Sequence, residues 1–215
     1  MVETYSATVN KQIIAAGGRN RAERLALDWF NTVKKNVNEK VVSPYNTYLR
    51  PGKIFIFNYD PKTKDILEFY DRNPIVLSLG LKETKSNGPL DLGINLNFLP
   101  FKIKLVVFDV IYKNYQLAIT RDGNKYPNRA LEQRGLKISY EIIKTILKQY
   151  NILFALRSYY VDRRTNCYAV SYEHWPDVSL LDVKDIEGAT LKQIYGKYYA
   201  MMRERDNTGK FKKTK

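Results

Sequence analysis

Four carboxylates, Asp60, Asp65, Glu68 and Asp71, crowd into residues 60–71 beside Lys62 and Lys64. Clustered acids next to a lysine are what metal-dependent phosphodiester cleavage needs, because two cations must be held against the attacking and leaving oxygens. The same stretch has a plainer reading. Asp60-Pro-Lys-Thr-Lys-Asp65 is the composition of a tight charged turn, and Asp71 precedes Arg72 and Pro74 as a turn residue would. Cys167 and His174 are the single cysteine and histidine of the chain, too few for a zinc site without carboxylate help. No Ser/His/Asp set and no Gly-rich phosphate loop ending in Lys-Ser or Lys-Thr is present. The expectation is a protein with no catalytic residues, no metal and no cofactor, whose charge serves binding.

That charge is large. Lys and Arg total 36 against 22 Asp and Glu, a formal net charge of +14, the balance of a protein with a polyanionic partner. A Lys-, Asn-, Tyr- and Ile-rich surface encoded by an AT-rich genome gives part of the same balance, and the 17 tyrosines fit it, so the placement of the cations matters more than their number. Two segments concentrate them. Residues 120–135 form the longest stretch without apolar periodicity and carry Arg121, Lys125, Arg129 and Arg134 around Tyr126, cations for phosphates and a ring on which a base can stack. The tail after Met202 is polar, with Lys210, Lys212, Lys213 and Lys215 and almost nothing to bury. These are the candidate contacts to double-stranded DNA, made to phosphates and not to base edges.

The elements that must hold these residues are read from periodicity. Lys53-Ile-Phe-Ile-Phe-Asn-Tyr59 is an aromatic strand. Ile75, Leu77, Leu79 and Leu81, then Leu92, Ile94, Leu96 and Phe98, alternate with smaller or polar partners at the period of half-buried strands. Asp60-Pro61 and Asn87-Gly88-Pro89 supply turns. Pro100 stands where a helix can begin, with Phe101, Leu105, Phe108, Tyr112 and Tyr115 on one face. Upstream, residues 3–16 predict a short helix stopped by Gly17-Gly18. Asn20 and Glu23 predict a capping box that opens a helix striped by Ala22, Leu25, Ala26, Trp29, Val33 and Val37. Downstream, Ser139 predicts the cap of a helix with Ile142, Ile143, Ile146, Leu147 and Tyr150 apolar. Residues 152–160 fit a helix or a strand, and Cys167–Tyr172 and Val178–Val183 read as strands. Leu191, Ile194, Tyr195, Tyr198 and Met202 line a final helix.

The fold expectation is α+β, a small antiparallel SH3-like or OB-like β-barrel from residues 52–99 flanked by N-terminal and C-terminal helices. Phe55, Phe57, Ile75, Leu77, Leu92, Ile94, Phe98, Leu105 and Phe108 should be deeply buried. The chain divides into an N-terminal helical segment (1–50), an α+β core (51–202) and a basic tail (203–215).

Within that core, Gly52-Lys-Ile-Phe-Ile-Phe-Asn-Tyr-Asp-Pro-Lys-Thr-Lys-Asp65, Tyr70-Asp-Arg-Asn-Pro74 and Gly93-Ile-Asn-Leu-Asn-Phe-Leu-Pro100 resemble motifs of the DNA end protector proteins of tailed bacteriophages and related proteins of the phage head and neck. Tyr172 to Trp175, Val178 to Val183 and Leu191 to Met202 are similar to the closing segments of that family, so the resemblance spans roughly residues 50–200. It implies a virion component at the DNA-containing portal end of the head, assembled in the host cytoplasm, and it carries over no catalytic motif.

Two readings follow. The first is a structural homo-oligomer, a ring at the portal vertex or head-tail neck docked on portal or other neck proteins, with Trp29, Val33, Tyr198 and Met202 as candidate subunit contacts. The second is a protector that binds genome termini without sequence specificity and shields them from nucleases. One cysteine excludes an internal disulfide and suits a reducing cytoplasm. No signal-peptide pattern opens the sequence, and no segment reaches the ~20 apolar residues that span a bilayer, so no membrane partner is expected.

Overall fold

Helix α1, Tyr5–Ala15, begins where the Thr4 side chain accepts the Ala7 N–H, and it ends in Gly17 and Gly18 at φ +79° and +124°. Their N–H groups return to the Ile14 and Ile13 carbonyls at 2.9 Å, a closure in which a Cβ would be strained. Helix α2, Arg19–Glu39, starts ahead of Asn20, so the predicted capping box does not form; Arg19 instead pairs with Glu23 one turn on, at 2.6 Å. Its buried stripe is Ala22, Ala26, Phe30, Val33 and Val37, while Leu25 is 53 % exposed. Phe30 takes the core position that the sequence pattern gives to Trp29, which is half-buried at the flank. The computed structural model that shows this describes residues 4–39, 48–84, 88–122, 140–182, 186–190, 192–196 and 199–200.

Five strands make one antiparallel sheet: β1 Ile54–Tyr59, β3 Ile75–Thr84, β4 Gly88–Asn95, β5 Leu156–Tyr160 and β6 Arg164–Val170, in the order β5-β4-β3-β1-β6. The short β2, Tyr70–Asp71, pairs with β7, Ile186–Glu187, in a separate ribbon. Register places Val170, Ile54, Leu77, Ile94 and Leu156 in one row across the sheet, and this face joins the helices in the main core. With a side-chain period of two, the opposite face holds a second core of Leu49, Phe57, Val76 and Tyr159, with Phe55, Tyr59 and Cys167 against it.

Helix α3, Phe101–Asp122, buries Ile103, Lys104, Val107, Phe108 and Ile111, with Phe101, Leu105 and Tyr112 along the flank. Helix α4 is Tyr140–Gln149, with Ile143 and Leu147 buried and Ile142 turned outward. Helix α5, Trp175–Leu180, is short and buried. The Tyr5 and Ser179 hydroxyls bond at 2.9 Å to tie it to α1, and the Lys104 ammonium donates to the Val178 and Leu181 carbonyls at its C-terminal end. A cation there answers the carbonyls that the helix leaves unpaired. Burial lowers the Lys104 pKa to about 8 against the opposing charges of Asp182 and Glu23.

Several expectations change. The α+β class holds, with antiparallel sheets and flanking helices, but residues 52–99 do not close a barrel. They supply β1, β3, β4 and the two-residue β2, too few strands to close. Strands β5 and β6 complete the sheet from far downstream, and no described pairing joins these two edges. Strand β4 stops at Asn95, whose side chain accepts the Asn97 N–H at 3.0 Å and turns Leu96–Phe98 into a buried 3-10 turn. Residues 178–180 are helical, not a strand, because Pro176 lies in the first turn of α5, where an N–H would have no helical partner. Phe57, Ile75, Leu77, Ile94, Phe98 and Phe108 are buried as expected, whereas Phe55, Leu92 and Leu105 are half-buried. In the described helical residues 192–196, Ile194 and Tyr195 are buried, and the Tyr195 hydroxyl donates to the Asn97 carbonyl at 2.9 Å. Ser139 lies outside the described residues. No described helix is long and apolar enough to cross a membrane.

Candidate nucleic-acid interface

Where β1 runs out, three chain segments are stitched together by backbone bonds. The Tyr59 N–H donates to the Arg72 carbonyl at 2.9 Å, and the Asp60 N–H donates to the Arg163 carbonyl at 3.2 Å. The Asn73 side-chain amide bonds Asn58, and Tyr70 faces Glu187 across the β2–β7 ribbon. These links frame a cleft of about 900 Å³ to which α2 adds Lys34; its cations are Lys34, Lys64, Arg72 and Arg163, its acids Asp60 and Glu187, and its rings Tyr59 and Tyr70. Among the described residues that line it Ile186 is the single aliphatic one, so these residues do not make the apolar walls of a small-molecule pocket.

Two of the cations, Lys64 and Arg72, are held by exposed pairs. Lys64 pairs with Asp60 at 3.4 Å and Arg72 with Glu187 at 3.0 Å, but all four side chains are exposed by roughly half or more. Exposed pairs of this kind contribute little to stability, so a phosphate oxygen can replace either carboxylate. A hydrogen bond donated to Tyr70, then the Glu187 charge, raise the Arg72 pKa, so it stays a cation. Cations spaced around two tyrosine rings can hold a phosphate backbone and stack its bases.

Behind the cleft, Asp71 is 3 % exposed. Its oxygens accept the Asn97 and Asn95 amides at 2.7 and 3.2 Å and the Asn73 N–H at 3.0 Å, which closes the turn that carries Arg72. Burial raises its pKa to about 6, opposed by these three bonds and by the charge of Lys34. Asp71 is therefore a turn former and not a free ligand. Asp60 faces Lys64, and Asp65 and Glu68 are exposed. Among the described residues no three His, Cys, Asp or Glu side chains are placed to share a metal ion.

The other singled-out residues separate. His174 stacks on Trp29 with ring centroids 4.8 Å apart and bonds Asp177 at 2.9 Å, a packed residue. The Cys167 thiol, its pKa pushed up by burial, accepts from Arg164 at 3.1 Å. Of the candidate subunit contacts, Val33 is buried inside the chain's own core and unavailable to a second copy, Trp29 is engaged by His174, and Tyr198 and Met202 lie outside the described residues. Arg121 belongs to the last turn of α3 and not to a loop. Lys125, Arg129, Arg134, Lys210, Lys212, Lys213 and Lys215 lie outside the described residues.

Sequence reasoning missed Lys34, Arg72 and Arg163 as partners. No spacing signal links them, because α2, the β2 turn and the β5–β6 turn meet only in the fold. The one usable hint was that Arg72 stands inside the Tyr70–Pro74 motif.

Residues 1–162 match the family model described as phage T4 terminal DNA protecting protein. No curated protein and no solved structure matches the chain. The match takes in α1 and α2, ahead of the motifs that carried the resemblance, and it includes Lys34, Tyr59, Lys64, Tyr70 and Arg72 of the cleft. Spanning 162 of 215 residues, it shows that the chain belongs to the family of the phage T4 terminal DNA protecting protein.

Proposed function

We propose that the chain binds the ends of double-stranded phage DNA through backbone phosphates, without sequence specificity and without catalysis, and shields those ends from nucleases by occupying them. The family's description supports protection of termini. The binding mode is carried by the cleft in which Lys34, Lys64, Arg72 and Arg163 surround Tyr59 and Tyr70. A protein that must hold whatever terminal sequence packaging leaves has no use for base readout, so the phosphate term should dominate. Arg121, Lys125, Arg129, Arg134 and the tail lysines Lys210, Lys212, Lys213 and Lys215 are proposed as further phosphate contacts. The ring at the portal vertex, ranked first from sequence, draws less support: the family is described by terminal DNA, and Val33 is taken up by the chain's own core.

The sheet itself is best read as a partly closed, SH3-like barrel. Strands β5 and β6 are its opposite edges, yet only Val161–Arg163 joins them. Such a link reaches about 14 Å, whereas a flat sheet of this width would hold its edges roughly 19 Å apart. Curling of the sheet supports this reading, while the direct pairing of β6 with β1, Tyr59 opposite Arg164, sets Arg163 at the end of β1, where it joins the cleft.

Binding to linear duplexes of unrelated sequence, measured across salt, tests the proposal. Affinities should agree between sequences and fall by roughly 0.9 log unit per log unit of salt for each phosphate neutralised. Strong sequence preference, salt-insensitive binding or absence of binding would overturn it.

A further inference from the structure

A second, smaller recess shares Tyr59 and Tyr70 with the cleft and continues along β5 to Arg157, Tyr159 and Tyr160, with Asp71 and Asn95 in its wall. Its volume is about 110 Å³. Ligand pockets generally exceed about 300 Å³, and a water takes up about 30 Å³ of liquid, so the recess is too small for a whole nucleotide and suits one planar ring.

The walls combine aromatic faces with polar groups that no hydrogen-bond partner answers among the described residues. Tyr159 is 3 % exposed, and its hydroxyl, close to Asn95, does not reach hydrogen-bond geometry with it or with any other group among the described residues. The Arg157 Nε is also buried without a hydrogen-bond partner, while its guanidinium lies over the Phe69 and Phe98 rings at 4.9 and 5.2 Å. Tyr59 meets Tyr159 edge to face at 5.0 Å. The Asp71 oxygens are already taken by Asn97, Asn95 and Asn73. The Tyr159 hydroxyl and the Arg157 Nε belong to lining residues but have almost no accessible area of their own, so an occupant meets their donor hydrogens only as a wall side chain shifts. Buried polar groups are ordinarily paired, and a pair left open on one small cavity points to a ligand.

We infer that this recess receives the terminal base of a DNA strand, frayed from its partner, when the adjoining phosphates lie in the cleft. The inference rests on the DNA-end reading above and adds how an end is told from the interior. An interior base must be unstacked on two sides and unpaired before it can enter, whereas a terminal base is stacked on one side only. A base brings carbonyl or ring-nitrogen acceptors to Tyr159 and Arg157 and a flat face to the tyrosines. A terminal phosphate fits less well, since Asp71 stands in the wall and Arg157 is the one cation among the described residues that line it.

The test compares three DNAs of the same sequence in competition for the purified protein: a linear duplex, the same duplex with abasic terminal nucleotides, and a closed circle. The intact linear form should bind tightest, by about tenfold, the worth of one base on aromatic groups, and the abasic form should fall to the level of the circle. Tyr159→Phe should lower the preference for intact ends by about two- to tenfold, with the affinity for circles, the salt slope and the melting temperature kept. Removing the terminal 5′ phosphates should change nothing. Abasic ends that bind as well as intact ones, an unchanged end preference in Tyr159→Phe, or a preference abolished by dephosphorylation would each overturn the inference while leaving the DNA-end reading standing. Absence of any DNA binding would overturn both.

Discussion

Arg164 on β6 reaches Asp91 on β4 at 2.7 Å with both side chains fully buried, although β1 and β3 lie between their strands. Three strand spacings of a flat sheet would separate the two backbones by about 14 Å, so the pair meets only because the sheet curls around this face. Asp91 also accepts the Leu49 N–H at 3.0 Å, and the Arg164 guanidinium lies 5.6 Å from the Phe57 ring. Burial raises the Asp91 pKa, and the Arg164 charge pulls it back down. The polar pair thus sits in the second core as a strut between the edge strand β6 and the interior strand β4.

Breaking that strut on one side leaves the other charge buried. Arg164→Met should destabilise the fold by about 3–5 kcal/mol, and adding Asp91→Leu should restore most of that stability. Urea unfolding of the two variants measures this. A double variant no more stable than the single one would show that the pair does more than satisfy its own charges.

Asp71 gives the fold a pH dependence of definite sign. Its folded pKa of about 6 lies above its ordinary value, so between about pH 4 and 6 the folded state binds the proton more tightly than the unfolded chain. Its contribution is greatest below that window and falls as pH rises through it, by roughly 3 kcal/mol at most. Unfolding free energies of the parent and Asp71→Asn should therefore shift in the parent's favour from pH 7 to pH 5. A difference that stays flat with pH would contradict the raised pKa.

Gly93, within the Gly93–Pro100 motif, has a packing reason to be glycine. A Cβ there would press on the Val76 side chain and come within 2.9 Å of the Leu77 carbonyl oxygen. Gly93→Ala should lower stability by about 1–3 kcal/mol, read from thermal unfolding, and a neutral result would mean that β3 and β4 can separate locally.

Arg72 and Arg163 line the cleft with exposed side chains, so Arg72→Gln and Arg163→Gln should fold as the parent does. Each should weaken binding equally across DNA sequences and reduce the salt slope by about 0.9 for each phosphate no longer neutralised. An unchanged slope would remove that residue from the interface.

Local signals were legible where local chemistry decides. The glycine stop after α1, the aromatic strand β1, the β3–β4 hairpin and the proline start of α3 follow from residues adjacent in sequence. The closing strands were not, because β6 pairs with β1 from the far end of the chain, a partnership no periodicity announces. Residues 178–180 show tertiary context overriding an apolar run: walled by α1, α2 and α3, they form a helix buried on every side, and a buried helix has no stripe to distinguish it from a strand. The site divides in the same way. The carboxylate cluster of residues 60–71 was visible, and its turn-forming reading is the one the geometry bears out for Asp71. The cleft cations come from three segments whose proximity exists only after folding.

The central claim is that occupancy of the end protects it. Exonuclease digestion of a linear duplex, followed over time with and without a molar excess of the purified protein, tests this directly. The intact protein should slow digestion from the ends and leave internal endonuclease cutting unchanged, and Arg72→Gln with Arg163→Gln should abolish the protection. Ends digested at the same rate with the protein present, under salt conditions where it binds, would contradict the account.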